Sequence, residues 1–395
     1  MRKFIFFVHL LIFISCDFQP KKDNSQGKEI EVLIVPNKQE TKEITTFYSL
    51  KEALINPEKV EILNLNGSQL KEIPEEVFKL KNLKELYFNS NEIESIPPDI
   101  KNFQKLVILD LNYNKISSLP LELSSLKMLK KLRLHSNNLN NNIFNVILSL
   151  RQLESLSIGK NNITFIPSNF DILNKLKVFD FSKTKIKEFP DCLCRLNSLE
   201  DLTFTSTQIE KIPDCIEKLD KLKIFWCVDN RINSLPESFG NLNSLEILIL
   251  NQNGIDSLHN SISKLSSLKE LQLMYNGLKK LPKDFGALTN LNRLELDYNN
   301  ITELPKSFSK LEKLEYFTII NNSLNKLPNN IGDMKKLEYL NIGINNVSII
   351  PESIIEIKSL TYFGYHENPI DSTTIKKNYK STSLGAYLEK LKNKN

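Results

Sequence analysis

A pattern of apolar and polar residues repeats along most of this chain with a period of about 23 residues. The repeat occurs fourteen times. In one copy, Leu294 and Leu296 alternate with polar residues, and Asn299 follows. Alternation with a period of two predicts a short β-strand with one buried face. We call the polar residue that marks each copy its ruler residue, and the series is Ser68, Asn91, Asn114, Asn137, Asn161, Thr184, Thr207, Asn230, Asn253, Asn276, Asn299, Asn322, Asn345 and Asn368.

One such strand cannot cover its own apolar face, so successive copies are expected to stack into a continuous parallel sheet with a shared core. The asparagine amide both donates and accepts hydrogen bonds, and it can satisfy backbone groups in the turn after each strand. Thr184 and Thr207 lack the amide, so we expect the weakest turns there. The copy between Asn137 and Asn161 is one residue longer than the others, which predicts a bulge near Asn140–Ile143.

The phrase Leu291-x-x-Leu294-x-Leu296-x-x-Asn299 resembles the leucine-rich repeat. The resemblance covers residues 60–370, an array of about 14 repeats. It implies an α/β solenoid, a right-handed horseshoe with a parallel β-sheet on the concave face and short helical or 3₁₀ segments on the convex face. An x-Pro step such as Ile73-Pro74 predicts extended backbone where each convex segment begins.

The N-terminal residues have the layout of a secretory signal. In residues 1–15, Arg2 and Lys3 precede an apolar run too short to span a bilayer. The run ends at Ser15-Cys16, which resembles a bacterial lipobox and implies lipidation of Cys16. A plain cleaved signal and a buried strand are the alternatives. Residues 16–46 are polar and lysine-rich, as expected of a flexible tether, and the role of the apolar stretch within 30–35 stays open.

Both ends of the array carry predicted caps. Ser49–Glu52 forms a capping-box pattern, which predicts a short helix in an N-terminal cap, residues 47–59, over the open sheet edge. This entry segment resembles that of 23-residue leucine-rich-repeat lipoproteins of pathogenic spirochaetes, which implies export, an envelope or surface location, and protein binding rather than catalysis. Residues 371–395 include an amphipathic pattern that predicts a C-terminal helical cap, with a membrane-surface helix as the alternative.

No group of residues indicates catalysis, a cofactor or a metal site. The histidines His9, His135, His259 and His366 lack metal-ligand spacing, and the 11 glycines form no phosphate-binding loop. We interpret lone histidines on the strands, and carboxylates such as Glu295 and Asp297, as solvated groups. A net charge of +5 with acidic residues on the same strands does not favour nucleic acid as a partner. We expect a monomer.

Four cysteines lie within the array. Cys227 occupies a buried strand position and is predicted to be a small core residue. Cys192 and Cys215 are 23 residues apart, each two positions after a repeat proline, and so lie in adjacent copies. They could form a disulfide in an exported protein, or they could remain two half-buried thiols.

The outward strand positions lie six, four, two and one residues before each ruler residue. They are mainly polar in the first half and become apolar and aromatic from the eighth copy onward. Exposed aromatics on one face are typical of an interaction patch, whereas a column such as Tyr316, Tyr339 and Tyr362 could also strengthen cross-strand packing. We predict a partner-binding strip made by Trp226, Ile249, Met274, Tyr275, Tyr298, Tyr316, Ile320 and Tyr339.

The sequence therefore predicts a non-enzymatic protein, exported and anchored in the bacterial envelope or at the cell surface by an N-terminal lipid. It would bind a protein partner, a host protein being one option, through its concave face. The alternative is an intracellular leucine-rich-repeat regulator or enzyme inhibitor, which also acts by protein–protein binding. That alternative would require that residues 1–15 do not act as a secretory signal. An effector with a ligase domain is disfavoured because only 25 residues follow Ile370.

Overall fold

The computed structural model describes residues 45–370, which form one parallel sheet with the strands in chain order. This confirms the predicted leucine-rich-repeat solenoid. The strands are β1 Thr46–Phe47, β2 Ile62–Asn64, β3 Glu85–Tyr87, β4 Ile108–Asp110, β5 Lys131–Arg133, β6 Ser155–Ser157, β7 Val178–Asp180, β8 Asp201–Thr203, β9 Ile224–Trp226, β10 Ile247–Ile249, β11 Glu270–Gln272, β12 Arg293–Glu295, β13 Tyr316–Thr318, β14 Tyr339–Asn341 and β15 Tyr362–Gly364. We number the coils from 1, which holds β2 and Ser68, to 14, which holds β15 and Asn368.

The strand register is the same from coil to coil. Leu294 pairs with Leu271 on one side and with Phe317 on the other, and all three side chains are fully buried. Residues at equal distances from their ruler residue therefore form columns across the sheet. Along coils 6 to 8 the core becomes aromatic, and neighbouring ring centroids lie 5.2 or 5.3 Å apart through the series Phe179, Phe181, Phe204, Phe225 and Phe239.

Each ruler asparagine joins its coil to the one before. The Oδ1 atom of Asn91 accepts from the Leu70 N–H at 3.0 Å, and its Nδ2 donates to the carbonyls of Leu65 and Phe88 at 2.9 and 3.0 Å. The residue before the asparagine turns the chain with a positive φ, which is 58° at Ser90. Buried backbone groups of two coils are thus satisfied by one side chain.

The convex side consists of short helices. Pro74 opens one of them with φ −59° and ψ 133°, as the x-Pro pattern predicts. The longer coil 4 holds the 3₁₀ turn Asn141–Ile143, which continues into helix α2, Phe144–Ile147, so that its extra residue is taken up by a helical turn. The other 3₁₀ helices are Pro57–Lys59, Glu75–Lys79, Pro98–Asn102, Leu121–Ser125, Phe170–Ile172, Asp191–Arg195, Asp214–Lys218, Glu237–Asn241, Asn260–Lys264, Phe285–Ala287, Phe308–Lys310, Ile331–Asp333 and Glu352–Glu356.

A short strand and helix lie at the N-terminal edge of the array. Helix α1, Leu50–Ala53, is capped by Ser49, whose Oγ accepts from the Glu52 N–H at 3.4 Å. Strand β1 was not predicted from the sequence; it pairs in parallel with β2 and extends the sheet by one strand. The expectations for Cys16, the tether and the C-terminal helix fall outside the described residues. None of the helices in residues 45–370 has the length and apolar character of a membrane span.

Cys192 and Cys215 form neither of the two expected arrangements, a disulfide or two half-buried thiols, because the disulfide joins Cys194 to Cys215 with 5.7 Å between their Cα atoms. Cys192 is a free, buried thiol whose pKa is raised by burial to about 11. The reason is an offset between neighbouring convex segments. The fourth residue after one repeat proline faces the second residue after the next, as Gly286 does when its N–H donates to Ser307 Oγ at 3.1 Å.

Candidate protein-binding face

The structure divides the predicted strip into three groups. The first surrounds Trp226, the only tryptophan of the chain, whose side chain is 38% exposed on the concave face. Half-buried Ile224 and Val228 lie two residues before and after it, half-buried Ile247 pairs with Ile224 in the next strand, and we call these four residues the Trp226 patch. Ile249 also points outward but is only 6% exposed between Trp226 and Gln272, so it offers a partner little surface.

The second group is a pair of tyrosines at the turn edge of the sheet. The rings of Tyr275 and Tyr298 stack with centroids 4.2 Å apart and planes at 8°, and both side chains are exposed. Their φ values of 56° and 57° belong to the left-handed turn that precedes each ruler residue. Met274 and Ile320, in the adjacent column, are half-buried.

The third group is a stacked column at the opposite edge. Tyr316, Tyr339 and Tyr362 lie ring on ring with centroids 4.4 Å apart, which confirms the predicted adjacency. The Arg293 guanidinium covers the end of the column, 4.0 Å from the Tyr316 ring centroid. Burial raises the pKa of Tyr316 to about 12. These half-buried rings pack mainly on one another. The column of Tyr316 lies five positions before the column of Tyr275 and Tyr298 in the repeat, so the two groups occupy opposite edges of the sheet surface.

Two carboxylates between these groups are buried, so their interpretation as solvated charges was wrong. Glu295 Oε1 accepts from Arg293 Nε at 2.7 Å. Asp297 Oδ1 accepts from Thr318 Oγ1 at 2.6 Å and from the Ile320 N–H at 2.7 Å. Burial raises the pKa of both carboxyl groups. They hold the sheet surface together between the two tyrosine groups.

Two aspartates with different surroundings lie on the N-terminal side of the Trp226 patch, Asp201 one strand away and Asp180 two strands away. Asp180 accepts from Ser157 Oγ at 2.9 Å and from the Ser182 N–H at 2.9 Å, and its Oδ2 lies 3.6 Å from His135 Nδ1. Burial opposes ionisation of Asp180, but these hydrogen bonds outweigh it and hold its pKa below the ordinary value. His135 is therefore part of a polar network rather than a freely solvated group.

Asp201 is the other aspartate, and sequence reasoning gave it no special role. Its carboxylate accepts from Thr203 Oγ1 at 3.1 Å, and among the described residues no cation lies within ion-pair distance of it. Burial, together with the nearby Asp180 charge, raises its pKa to about 6. One sequence signal could have identified it, because Asp201 interrupts a column in which Val178 and Ile224 are its neighbours.

The face of coils 2 to 4 is polar and internally paired. Arg133 Nη1 lies 3.0 Å from Asp110 Oδ2, and Tyr87 donates to Glu85 Oε2 at 2.7 Å. Asn112 Oδ1 accepts from the His135 N–H at 2.7 Å. No group of histidine, cysteine and acidic residues in residues 45–370 could hold a metal ion.

Comparisons with known proteins agree with this architecture. A family model described as a leucine-rich repeat region matches residues 54–163 and 251–362, and a second leucine-rich-repeat model matches residues 151–209. The chain belongs to the leucine-rich-repeat proteins. Among curated protein sequences, none matches it significantly.

Several solved structures share the fold. A leucine-rich-repeat protein of Leptospira interrogans is 29% identical over 86% of this chain and 99% of its own, with a TM-score of 0.65. The PEPR1–AtPEP1 structure is 27% identical and gives a TM-score of 0.63, and the match covers 78% of this chain but 48% of that one. An internalin of Listeria monocytogenes is 22% identical over 80% of this chain and 92% of its own, with a TM-score of 0.68, a likeness of fold alone.

Proposed function

We propose that this protein is a non-enzymatic binding protein that holds a protein partner on its concave face, with the Trp226 patch at the centre of contact. The observation that carries the proposal is the exposure of Trp226 on the sheet surface. A tryptophan buries a large area with few rotatable bonds, so exposing it to solvent is costly unless a partner covers it. The PEPR1–AtPEP1 structure names a second component, AtPEP1, beside PEPR1, and this relative with the same fold supports a partner-binding role here.

The three groups would contribute differently. The Trp226 patch and the exposed Tyr275–Tyr298 pair offer surface that a partner can cover, whereas the column of Tyr316 and Tyr339 is mostly occupied by its own stacking. Met274 and Ile320 border the tyrosine pair. The paired polar face of coils 2 to 4 would supply peripheral contacts, because its groups already satisfy one another.

We further propose that the protein acts outside the cytoplasm, attached to a membrane through acylated Cys16. The support is the short apolar run that ends at Ser15-Cys16. Two or three acyl chains hold a protein stably at a membrane, where one chain is marginal.

The test uses a matched pair of exposed aromatic residues. The lipid-free chain from residue 17 serves as bait for envelope extract and for host extracellular proteins, beside the variants Trp226→Ala and Phe165→Ala. Phe165, 56% exposed, lies in a loop after the ruler residue of coil 5, away from the strands. A partner that binds the wild type and Phe165→Ala but is lost with Trp226→Ala supports the proposal. Capture that both variants retain would contradict it.

A further inference from the structure

The concave face of coils 6 to 11 is acidic although the whole chain carries a net charge of +5. Its outward positions hold six carboxylates against two cations, Lys183 and Arg293. Arg293 is occupied by Glu295 and by the Tyr316 ring. The six carboxylates are Asp180, Asp201, Asp229, Glu270, Glu295 and Asp297.

Asp201 stands out among these groups because the other partly buried carboxylates have stronger internal partners. Asp180 has a serine hydroxyl, a backbone N–H and a histidine, and Glu295 has an arginine. Within the described residues, the Thr203 hydroxyl at 3.1 Å is the one hydrogen-bond donor to Asp201, and the strand neighbours of Asp201 in register are Val178 and Ile224. A desolvated carboxylate without a cation costs free energy in the folded state.

The positions of Asp201 and Trp226 allow one ligand group to reach both. Asp201 lies one strand and two residues before Trp226 in the common register, so their Cα atoms are about 8 Å apart. A cation placed between them would pair with the carboxylate and approach the indole ring, and both contacts are stronger in a partly dehydrated site. Ile224, which pairs with Asp201, and Ile247, one strand further on, would then receive an apolar group.

Building on the proposed function, we infer that the partner presents a cationic segment to this face. A lysine or arginine lies between Asp201 and Trp226, and a neighbouring apolar side chain packs on Ile224 and Ile247. The charge pattern excludes an acidic segment, because it would meet Asp180, Asp201 and Asp229 together. The same repulsion disfavours nucleic acids and anionic lipid surfaces.

The experiment selects ligands without assuming their identity. A random peptide library displayed on phage is panned against the lipid-free chain, and the enriched peptides are synthesised without tryptophan. Trp226 then reports binding by its own emission, since the chain has no other tryptophan. Calorimetry measures how tightly these peptides bind to Asp201→Asn, to Trp226→Ala and to the matched control Asp220→Asn. Asp220 is exposed in the segment before β9.

We expect the enriched peptides to combine lysine or arginine with a large apolar residue, to shift the Trp226 emission to shorter wavelength, and to bind less tightly as salt is raised. Asp201→Asn should weaken binding about tenfold, while Asp220→Asn leaves it unchanged. Neutral or acidic peptides that lose affinity with Trp226→Ala but not with Asp201→Asn would overturn the inference and leave the proposed function standing. Peptides indifferent to Trp226→Ala would count against both. A selection that enriches nothing also overturns the inference, and the comparison with Phe165→Ala then decides the proposed function alone.

Discussion

Cys194 is joined to Cys215 across the interface of coils 6 and 7, where Thr207 replaces the ruler asparagine. The Thr207 hydroxyl donates forward to Asn230 Oδ1 at 2.6 Å, and Thr184 Oγ1 donates to Phe181 within its own coil at 2.8 Å. Neither threonine makes the backward bridge that asparagine makes elsewhere. At the interface of coils 5 and 6, Arg195 reaches back to Asp171 at 2.6 Å and to the Ser168 carbonyl at 2.7 Å. The convex side thus supplies connections that the turns lack.

Removing the disulfide is expected to lower stability by more than an ordinary surface change. Cys194→Ala combined with Cys215→Ala should reduce the free energy of unfolding by about 3 kcal/mol, because the bond closes a loop of about twenty residues. Denaturant unfolding with and without reductant measures this. Reductant should destabilise the wild type and leave the double variant unchanged. An equal response of the two proteins would show that the bond does not stabilise the fold.

The threonine coils should also exchange their amide hydrogens faster than the asparagine coils. We expect lower protection in coils 6 and 7 than in coils 10 to 13, and a larger difference once the disulfide is removed. Thr184→Asn should raise protection in coil 6 and add about 1 kcal/mol of stability, since its amide could accept from the Ile163 N–H. Uniform protection along the array would mean that the asparagine ladder matters little.

Asp201 is expected to make the protein less stable at neutral pH. Its pKa is raised to about 6, so between about pH 4 and pH 6 the folded chain holds a proton that the unfolded chain has released. The free energy of unfolding therefore falls as the pH rises through that window. Asp201→Asn should remove the part of this decrease that Asp201 causes, and should raise the free energy of unfolding by about 2 kcal/mol at pH 7.

Thermal melting at pH 7 and at about pH 4 distinguishes Asp201 from its neighbours. Glu295 and Asp297 also have raised pKa values and contribute in the same direction in both proteins, so only the difference between wild type and variant is informative. The pKa of Asp180 is lowered, so its contribution is lost only at more acidic pH. A variant that melts like the wild type at both pH values would refute the assignment. Greater stability combined with weaker cation binding is the pattern of a functional site.

The tyrosine groups should respond differently to substitution. Tyr339 stacks on both Tyr316 and Tyr362, so Tyr339→Ala should lower the free energy of unfolding by about 2 kcal/mol and change partner binding little. Tyr298→Ala loses a single, exposed stacking partner and should mainly weaken binding, as should Trp226→Ala. Unfolding and binding measured on the same preparations separate these roles. If Tyr339→Ala spares stability and abolishes binding, the column is a contact surface.

The lipid anchor has its own test. Wild-type protein made with its signal segment should partition into the detergent phase, and Cys16→Ala should move to the aqueous phase, because the acyl chains at Cys16 supply the membrane affinity. Recovery of the wild type in the aqueous phase would exclude the anchor.

The fold could be predicted from the repeat, because each copy contains the same strand pattern, turn residue and proline position in the same order. Register then followed from spacing, which is why the Tyr316–Tyr339–Tyr362 stack could be expected before any coordinates. The disulfide could not be predicted in the same way. Equal spacing suggested Cys192 and Cys215, but convex segments meet with an offset that sequence columns do not express.

The candidate face was predicted only in part. The alternation of side chains along each strand predicted which residues point outward, including Trp226. It did not predict how far neighbouring side chains cover them. Ile249 and Asp297 share outward positions with exposed residues and are nevertheless buried, because side chains of adjacent coils close over them. The special position of Asp201 depends on which partners lie within reach, and that is a property of three dimensions.

The Cys194–Cys215 bond also has a mechanical consequence. In the proposed anchored protein, a partner pulling on Trp226 in coil 8 would load the chain toward its N-terminus, through coils 7 and 6. Those are the coils with the fewest backward bridges between turns. The covalent link spans the loop between the two cysteines, so unravelling there could not release the roughly 70 Å of extended chain that this loop contains. The disulfide would therefore limit how far the anchored protein can extend under tension.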